Sequence, residues 1–138
     1  MKVFFDTNVY VAQALLGRAA ERMINATMAN RWRIYSSDYV LDEVERVMAR
    51  QLGFSRRLAT LTKARVRRRS SLISAQPSRH AVPRDAKDSP ILRAALACAA
   101  DYLVTNDRHL LELHPYEGIQ ILSVDRYLRL IEEQGLLD

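Results

Sequence analysis

Short apolar runs alternate along the chain with longer segments whose apolar residues recur at three- and four-residue steps. Runs rich in β-branched and aromatic residues predict strands, whereas the longer spacing predicts helices. The predicted strands are Met1–Phe5, Trp32–Tyr35, Tyr102–Thr105 and Ile119–Leu122, with a further edge strand at His80–Pro83. The predicted helices are Val9–Leu16, Arg18–Asn30, Asp38–Arg50, Ser55–Ser71, Ile91–Ala100, Arg108–Leu113 and Val124–Gln134. This alternation predicts an α/β fold with a parallel sheet of four to five strands and right-handed helical crossovers.

Length and composition fit one soluble globular unit. The chain has 138 residues, of which 49% are apolar and 27% charged, so we expect one domain over residues 1–138 with a small helical arm at about 50–76. No apolar run approaches the roughly 20 residues of a membrane span, and Asp6 interrupts any signal-peptide core. Cys98 is the one cysteine, which excludes an internal disulfide and predicts a small core residue. We expect a cytoplasmic protein.

The net charge of +5 conceals a strong asymmetry along the sequence. From Arg46 to Arg84 the chain carries eleven Arg and Lys residues and no acid, while the remainder has a net charge of −6. The basic residues are densest in the predicted arm, at Arg65, Arg67, Arg68 and Arg69. Such a concentration indicates either a surface for a polyanionic partner or a solvated helix face. For the arm helix itself, Leu58, Leu61 and Leu72 are the main large apolar positions, with Ala64 and Val66 as weaker candidates.

Two acids directly follow predicted strands. Asp6 comes after the first strand and Asp107 after the third, with only Asn106 between the strand and the acid. The carboxyl ends of parallel strands lie at one edge of the sheet, where sites in open α/β folds are built. Asp6 and Asp107 therefore approach each other if their strands are neighbours.

Two further acids are candidates for the same edge. Glu43 lies three and four residues from Val40 and Tyr39, so it falls on or beside the apolar stripe of its helix. Asp88 precedes Ser-Pro at a predicted helix start, and Asp85 lies three residues earlier. Each acid also has an ordinary explanation. Asp88 and Asp107 are suited to cap helices, and Glu43 to pair with an arginine.

Carboxylates gathered at one edge require compensation, either by protonation of some of them or by a hard divalent cation. Oxygen-only ligands select magnesium or manganese over zinc. A magnesium ion held by carboxylates is suited to phosphodiester hydrolysis, because it lowers the pKa of a bound water and neutralises charge on the phosphate. This chemistry needs no serine, cysteine or histidine nucleophile.

The arrangement resembles the PIN-domain ribonucleases, in particular the VapC-like toxins of bacterial toxin–antitoxin pairs. The segments that carry the resemblance are Val3–Val9, Ser37–Val44, Arg84–Leu92, Ala99–Leu111 and Gly118–Ser123, in the family's order. The resemblance implies a three-layer α/β/α fold around the parallel sheet. It also implies that Asp6, Glu43, Asp88 and Asp107 bind Mg²⁺ or Mn²⁺ and activate water against an RNA phosphodiester.

The resemblance carries further expectations. Thr105 would shape the site through its hydroxyl, and Asn106 stands where many relatives have glycine. Asp88 is favoured over Asp85 as the third acid, because it lies at the predicted helix start. A small antitoxin partner and a homodimer are implied by the family alone. Arg65, Arg67, Arg68 and Arg69 would position RNA by binding phosphates without reading sequence.

Other functions fit the sequence less well. A phosphatase with an aspartyl nucleophile would place a second aspartate two residues after the first, and that position is Asn8. A phospho-accepting receiver domain would require a lysine after a late strand, and none is identified. A catalytically silent RNA-binding or scaffold protein with a PIN-like fold stays open, because residues alone do not demonstrate turnover.

Overall fold

The computed structural model of the protein describes residues 1–16, 18–74 and 89–136. Its strands are Lys2–Phe5 (β1), Arg33–Ser36 (β2), Ser71–Leu72 (β3), Tyr102–Val104 (β4) and Gln120–Leu122 (β5). They form a parallel sheet in the order β3-β2-β1-β4-β5. Along the sequence, β2 and β3 therefore add to one side of β1, and β4 and β5 then add to its other side. The carboxyl ends of β1 and β4 flank the point where the winding reverses, which is where open α/β sheets bind ligands.

Helices connect these strands. They are Thr7–Leu16 (α1), Arg18–Ala29 (α2), Asp38–Arg46 (α3), Arg56–Arg69 (α4), Ser89–Ala97 (α5), Arg108–Leu111 (α6) and Val124–Glu133 (α7). A π-helical turn, Val47–Gln51, follows α3 directly. Serines cap three of the helices. Ser37 accepts from the Val40 amide, Ser55 begins α4 and Ser123 begins α7, so each satisfies an amide left free at a helix start.

Both faces of the sheet are covered. Phe4 and Phe5 are fully buried, and successive side chains of a strand point to opposite faces, so apolar layers lie on each side. The Phe5 ring packs edge-on against Tyr10 of α1 and Tyr127 of α7, with centroid distances of 6.0 and 5.7 Å. The three-layer α/β/α prediction is confirmed.

The four main predicted strands are confirmed within one or two residues, and the edge strand at His80–Pro83 lies outside the described residues. The fifth strand of the described sheet is instead β3, which the sequence did not predict. The arm helix was predicted to run to Ser71 but ends at Arg69. The two residues Ser71–Leu72 then pair with Tyr35 and Ser36 of β2. A strand this short has no periodicity for the sequence to display.

The helix predicted over Asp38–Arg50 is interrupted. It is α-helical only to Arg46 and then widens, with the Leu52 amide bonded to the Val47 carbonyl at 3.1 Å. A π-turn inserts one residue into the helical repeat, and such turns are frequent at functional sites. Periodicity over a few residues does not separate this turn from a continuous α-helix.

Of the apolar positions named for the arm, the weaker candidate Val66 is buried, but the three large leucines are not. Leu58, Leu61 and Leu72 remain 43%, 56% and 39% exposed, whereas Ala59 and Val66 are the buried residues of α4. Small and β-branched side chains at these positions let α4 lie close to α3, and this close approach leaves the larger leucines outside. The size of the side chains alone therefore does not identify which residues of α4 pack against the rest of the protein.

Buried apolar residues from the sheet and the surrounding helices form one core cluster, which includes Cys98 at 5% exposure. The prediction that Cys98 is a core residue is confirmed, and its Sγ lies 3.4 Å from the Ala95 carbonyl oxygen. Burial raises the pKa of this thiol to about 11, which makes it a poor nucleophile. Among the helices of the described residues, none is both long and apolar enough to cross a bilayer.

Candidate active site

Asp6 directly follows the last residue of the central strand β1, and its backbone amide continues the pairing of the sheet. Its amide donates to the Val104 carbonyl at 2.9 Å, while its own carbonyl accepts from the Val9 amide at 3.1 Å as α1 begins. Only 2% of the residue is exposed. The strand and the helix together therefore fix the backbone of an almost fully buried acid.

Two hydrogen bonds hold the Asp6 carboxylate. The Thr7 amide donates to Oδ1 at 2.6 Å, and the hydroxyl of Thr105 donates to Oδ2 at 2.7 Å. Thr105 is fully buried and follows β4. Its Oγ1 also accepts from the Asp107 amide at 2.9 Å. The Thr105 hydroxyl thus links the two strand ends, as the resemblance implied.

Asp107 lies at the start of α6. Its Oδ1 accepts from the His109 amide at 2.8 Å, which makes it the N-cap of that helix. His109 Nδ1 lies 4.0 Å from the same oxygen. The capping role anticipated from the sequence is present, and it fixes the side chain next to Thr105. Asp107 can therefore cap α6 and also belong to the site.

Glu43 projects from α3 with a side chain only 15% exposed. The Tyr39 hydroxyl donates to its Oε2 at 3.0 Å, and Arg46 Nη2 lies 3.4 Å from the same oxygen. Both partners are on the same helix, one turn before and one turn after. The arginine pair considered from the sequence exists, and Tyr39 adds a neutral donor.

The three acids share one electrostatic environment. The pKa of Asp6 is raised to about 6, because burial and the negative charges of Glu43 and Asp107 raise it more than the hydrogen bonds from Thr105 and Thr7 lower it. Loss of water around the carboxylate is the largest of these effects. A carboxyl whose pKa is perturbed by burial and by like charges is typical of functional sites.

The third acid of the predicted set, Asp88, and its rival Asp85 both lie outside the described residues. Within residues 1–16, 18–74 and 89–136, no group of three or more His, Cys, Asp or Glu side chains is arranged to hold a metal ion. The described part of the site consists of Asp6 and Asp107, joined through Thr105, with Glu43 acting on Asp6 through its charge.

Three residues around these acids were not proposed from the sequence. Tyr39 and Arg46 bracket Glu43 at helical spacings of four and three residues, a signal that the sequence does contain. Thr7 is 2% exposed, and its Oγ1 has no hydrogen-bond partner. Nothing in the sequence indicated that this hydroxyl would be buried beside Asp6 without a partner.

The arginines proposed to bind RNA divide into two groups. Arg65 Nη2 donates to Glu21 Oε1 of α2, and Arg69 Nη2 lies 3.5 Å from the same oxygen. Arg67 and Arg68 are exposed. Two members of the predicted set therefore attach the arm to the body, and two face solvent.

The fold has a recognisable relative among solved structures. A solved structure described as VapBC2 from Rickettsia felis, bound to a DNA fragment from its promoter, contains a chain with a TM-score of 0.63 and 16% sequence identity. The match covers 89% of this chain and 98% of that chain. Among curated proteins, none matches the sequence.

The family profile of the PIN domain matches residues 2–109. This match spans β1 with Asp6, α3 with Glu43, and the β4–α6 connection with Thr105 and Asp107. Most of the chain, including every acid of the described site, is therefore inside the matched region. The chain belongs to the PIN-domain family.

Proposed function

We propose that the protein is a ribonuclease that depends on Mg²⁺ or Mn²⁺ and hydrolyses RNA phosphodiester bonds, acting in the cytoplasm as the VapC-like toxin of a toxin–antitoxin pair. The observation that carries this proposal is the network of Asp6, Thr105 and Asp107 at the junction of β1 and β4. It holds a buried carboxylate under the influence of Glu43. PIN domains are generally nucleases, and the family membership supports the same reaction class.

The donor atoms of the proposed ligands suit a hard divalent cation. Asp6, Glu43 and Asp107 offer oxygen atoms only, and Thr7 Oγ1 is a buried oxygen without a hydrogen-bond partner beside them. A cation among these groups would offset the cost of ionising Asp6, a cost that burial now imposes. We propose Asp6, Glu43, Asp88 and Asp107 as the catalytic and metal-binding acids. When bound, magnesium or manganese would act as a Lewis acid and would neutralise charge on the scissile phosphate.

The protein's own groups prepare this chemistry by fixing each acid. The Thr105 hydroxyl donates to Asp6 Oδ2, so the Asp6 side chain is held in one orientation. Tyr39 and Arg46 hold Glu43 Oε2 in the same way. Acids fixed in this way need little rearrangement during a reaction, which is the main source of electrostatic catalysis.

The arm would contribute to substrate binding. We propose that Arg65, Arg67, Arg68 and Arg69 bind RNA phosphates. Because Arg65 and Arg69 already pair with Glu21, the exposed Arg67 and Arg68 are the more direct test. Replacing Arg67 and Arg68 with glutamine should reduce the salt dependence of RNA binding by about 0.7 per lost contact. An unchanged slope would contradict a role for the arm.

Partners follow from the same assignment. The solved structure that shares this fold is described as VapBC2. We propose that this chain binds a small antitoxin protein and forms a homodimer. The mass of the purified protein in solution, alone and with its antitoxin, measures both associations. A chain that remains monomeric at micromolar concentration would exclude the homodimer.

Replacing Asp6 with asparagine should abolish metal-dependent cleavage of mixed RNA while leaving the protein folded. Asparagine retains the size of the side chain but removes its charge, so a loss of at least about a hundredfold is expected for a metal-binding acid. Asp125→Asn on the exposed side of α7 is the matched control and should cleave normally. Cleavage that survives Asp6→Asn, or that persists in excess chelator, contradicts the mechanism. A wild-type protein that binds RNA without cutting it would instead indicate the catalytically silent alternative.

Single substitutions at Asp85 and Asp88 identify the third acid. If Asp88 is a ligand, Asp88→Asn should lower the cleavage rate as strongly as Asp6→Asn, whereas Asp85→Asn should leave most activity. The rate at saturating Mg²⁺ and the Mg²⁺ concentration for half-maximal rate should both be measured, since a lost ligand changes both. The reverse ranking of the two variants would assign the role to Asp85.

The metal-free protein should lose stability as the pH rises through the pKa of Asp6. The folded pKa of about 6 exceeds the ordinary value of 3.8, so the folded protein binds this proton more tightly than the unfolded chain. The contribution of Asp6 is therefore most favourable below pH 4 and is lost between about pH 4 and 6. Relative to Asp6→Asn, the wild type should lose roughly 1–3 kcal/mol across this range, measured by urea unfolding in chelator.

Magnesium provides the control for this pH effect. Saturating Mg²⁺ at pH 8 should raise the melting temperature of the wild type, because a ligand that binds only the folded state stabilises it. The same addition should change Asp6→Asn much less. Parallel pH curves for the wild type and Asp6→Asn in chelator would show that Asp6 is not the responsible group.

A further inference from the structure

A charged groove lies beside the candidate site, between α3 with its π-helical turn and the start of α4. Its cavity volume is about 370 Å³, which is within the usual range for ligand pockets. The polar residues that line it are Asp42, Glu45, Arg46, Arg50, Arg56 and Thr60. The groove is separate from the arm arginines proposed above, which lie toward the other end of α4.

One lysine and one hydroxyl from within the protein engage the two acids of the groove. Lys63 Nζ lies 2.8 Å from Asp42 Oδ1 and 3.8 Å from Glu45 Oε1. Thr60 Oγ1 donates to Glu45 Oε2 at 3.1 Å. These contacts bind α4 to α3, and they leave neither carboxylate as a free partner for the arginines.

The arginines, in contrast, remain available. Arg50 and Arg56 are exposed, and no acid in the described part of the chain forms an ion pair with either. A guanidinium carries donors in a planar fork that matches phosphate oxygens and binds them in pairs. The two unpaired guanidinium groups of this groove are therefore suited to bind an anion.

Arg46 connects this surface to the catalytic acids. It lines the groove and also lies 3.4 Å from Glu43 Oε2. Arg50 follows four residues later, inside the π-helical turn, and lines the same groove. An RNA cut near Glu43 has phosphates next to the cut, and the groove offers guanidinium groups to them. The groove is continuous with the residue that holds Glu43, which favours the RNA substrate as its occupant.

We propose that this groove binds the RNA backbone adjacent to the scissile bond, with phosphates contacted by Arg46, Arg50 and Arg56. This inference rests on the proposed ribonuclease function and adds the location of the RNA that flanks the scissile bond. The contacts are to phosphates, so they hold single-stranded RNA in register without selecting its sequence. Arg46 is a substrate-binding residue in this arrangement and also positions Glu43.

The test compares Arg50→Gln/Arg56→Gln with Arg126→Gln/Arg129→Gln, which removes the same charge from a second groove formed by β5 and α7. Binding of a short fluorescent mixed-sequence RNA is measured in chelator over a range of KCl concentrations. The groove variant should bind about tenfold more weakly, and its salt slope should fall by about 1.4 for two lost contacts. The control variant should match the wild type.

Lysine substitutions check that charge is the cause. Arg50→Lys/Arg56→Lys should recover most of the salt slope, because a lysine still displaces counterions from the phosphate. In Mg²⁺, the glutamine variant should raise KM for RNA cleavage and leave kcat largely unchanged, since neither residue contacts the acids. The glutamine and lysine double variants should both melt at the wild-type temperature, because the side chains of Arg50 and Arg56 are exposed.

Several results would overturn the inference. If the groove variant binds RNA like the control while the wild type still cleaves, the groove is not a backbone site and the proposed function is unaffected. If the groove variant loses binding of poly-glutamate but retains RNA, the groove receives an acidic protein segment instead. If the wild type neither cleaves nor binds RNA, the proposed function fails, and this inference fails with it.

Discussion

The parallel pairing of β1 with β4 determines both the core and the site. Phe5 lies opposite Val104 in the register, so Asp6 and Thr105 are the next pair along the two strands. The bond from the Asp6 amide to the Val104 carbonyl extends this pairing beyond the strand. The Thr105 hydroxyl is thereby brought within reach of the Asp6 carboxylate. A slip of one residue would reverse the faces of the buried phenylalanines, so the packing of the core protects the geometry of the site.

That geometry carries an energetic cost in the absence of a cation. Burial removes water from Asp6, and the two hydrogen bonds from Thr105 and Thr7 only partly compensate, so its pKa remains raised. The charges of Glu43 and Asp107 act in the same direction. Local interactions that oppose stability at one place, within an otherwise consistent fold, are typical of functional sites. The rest of the structure can support this cost because the core beneath it is continuous.

Much of the fold and part of the site could be predicted, for physical reasons that differ between residues. Asp6 and Asp107 stand directly after apolar strands, and parallel topology alone brings such positions to one edge. The contact of Tyr39 with Glu43 follows a four-residue helical spacing that the sequence does contain. The burial of Thr7 depends on side-chain packing, which periodicity does not report. The same limit explains why Leu58 was named as a main apolar position of the arm although α4 packs through smaller residues. The assignment of Asp88 as the third acid of the site remains a prediction.

The basic arm shows why counting charges predicts less than locating them. Arg65 and Arg69 form ion pairs with Glu21, and Lys63 forms one with Asp42. The three basic residues lie in one stretch of sequence that contains no acid, so the sequence alone does not show that they are paired. Exposed ion pairs contribute little to stability, so burial of Ala59 and Val66 holds the arm while the pairs set its orientation. Among the described residues of the arm, the arginines without an ion pair are then left to act on a partner, and these are Arg50, Arg56, Arg57, Arg67 and Arg68. Neutralising a paired arginine changes the position of the arm as well as its charge, so only the unpaired arginines report on RNA binding by itself.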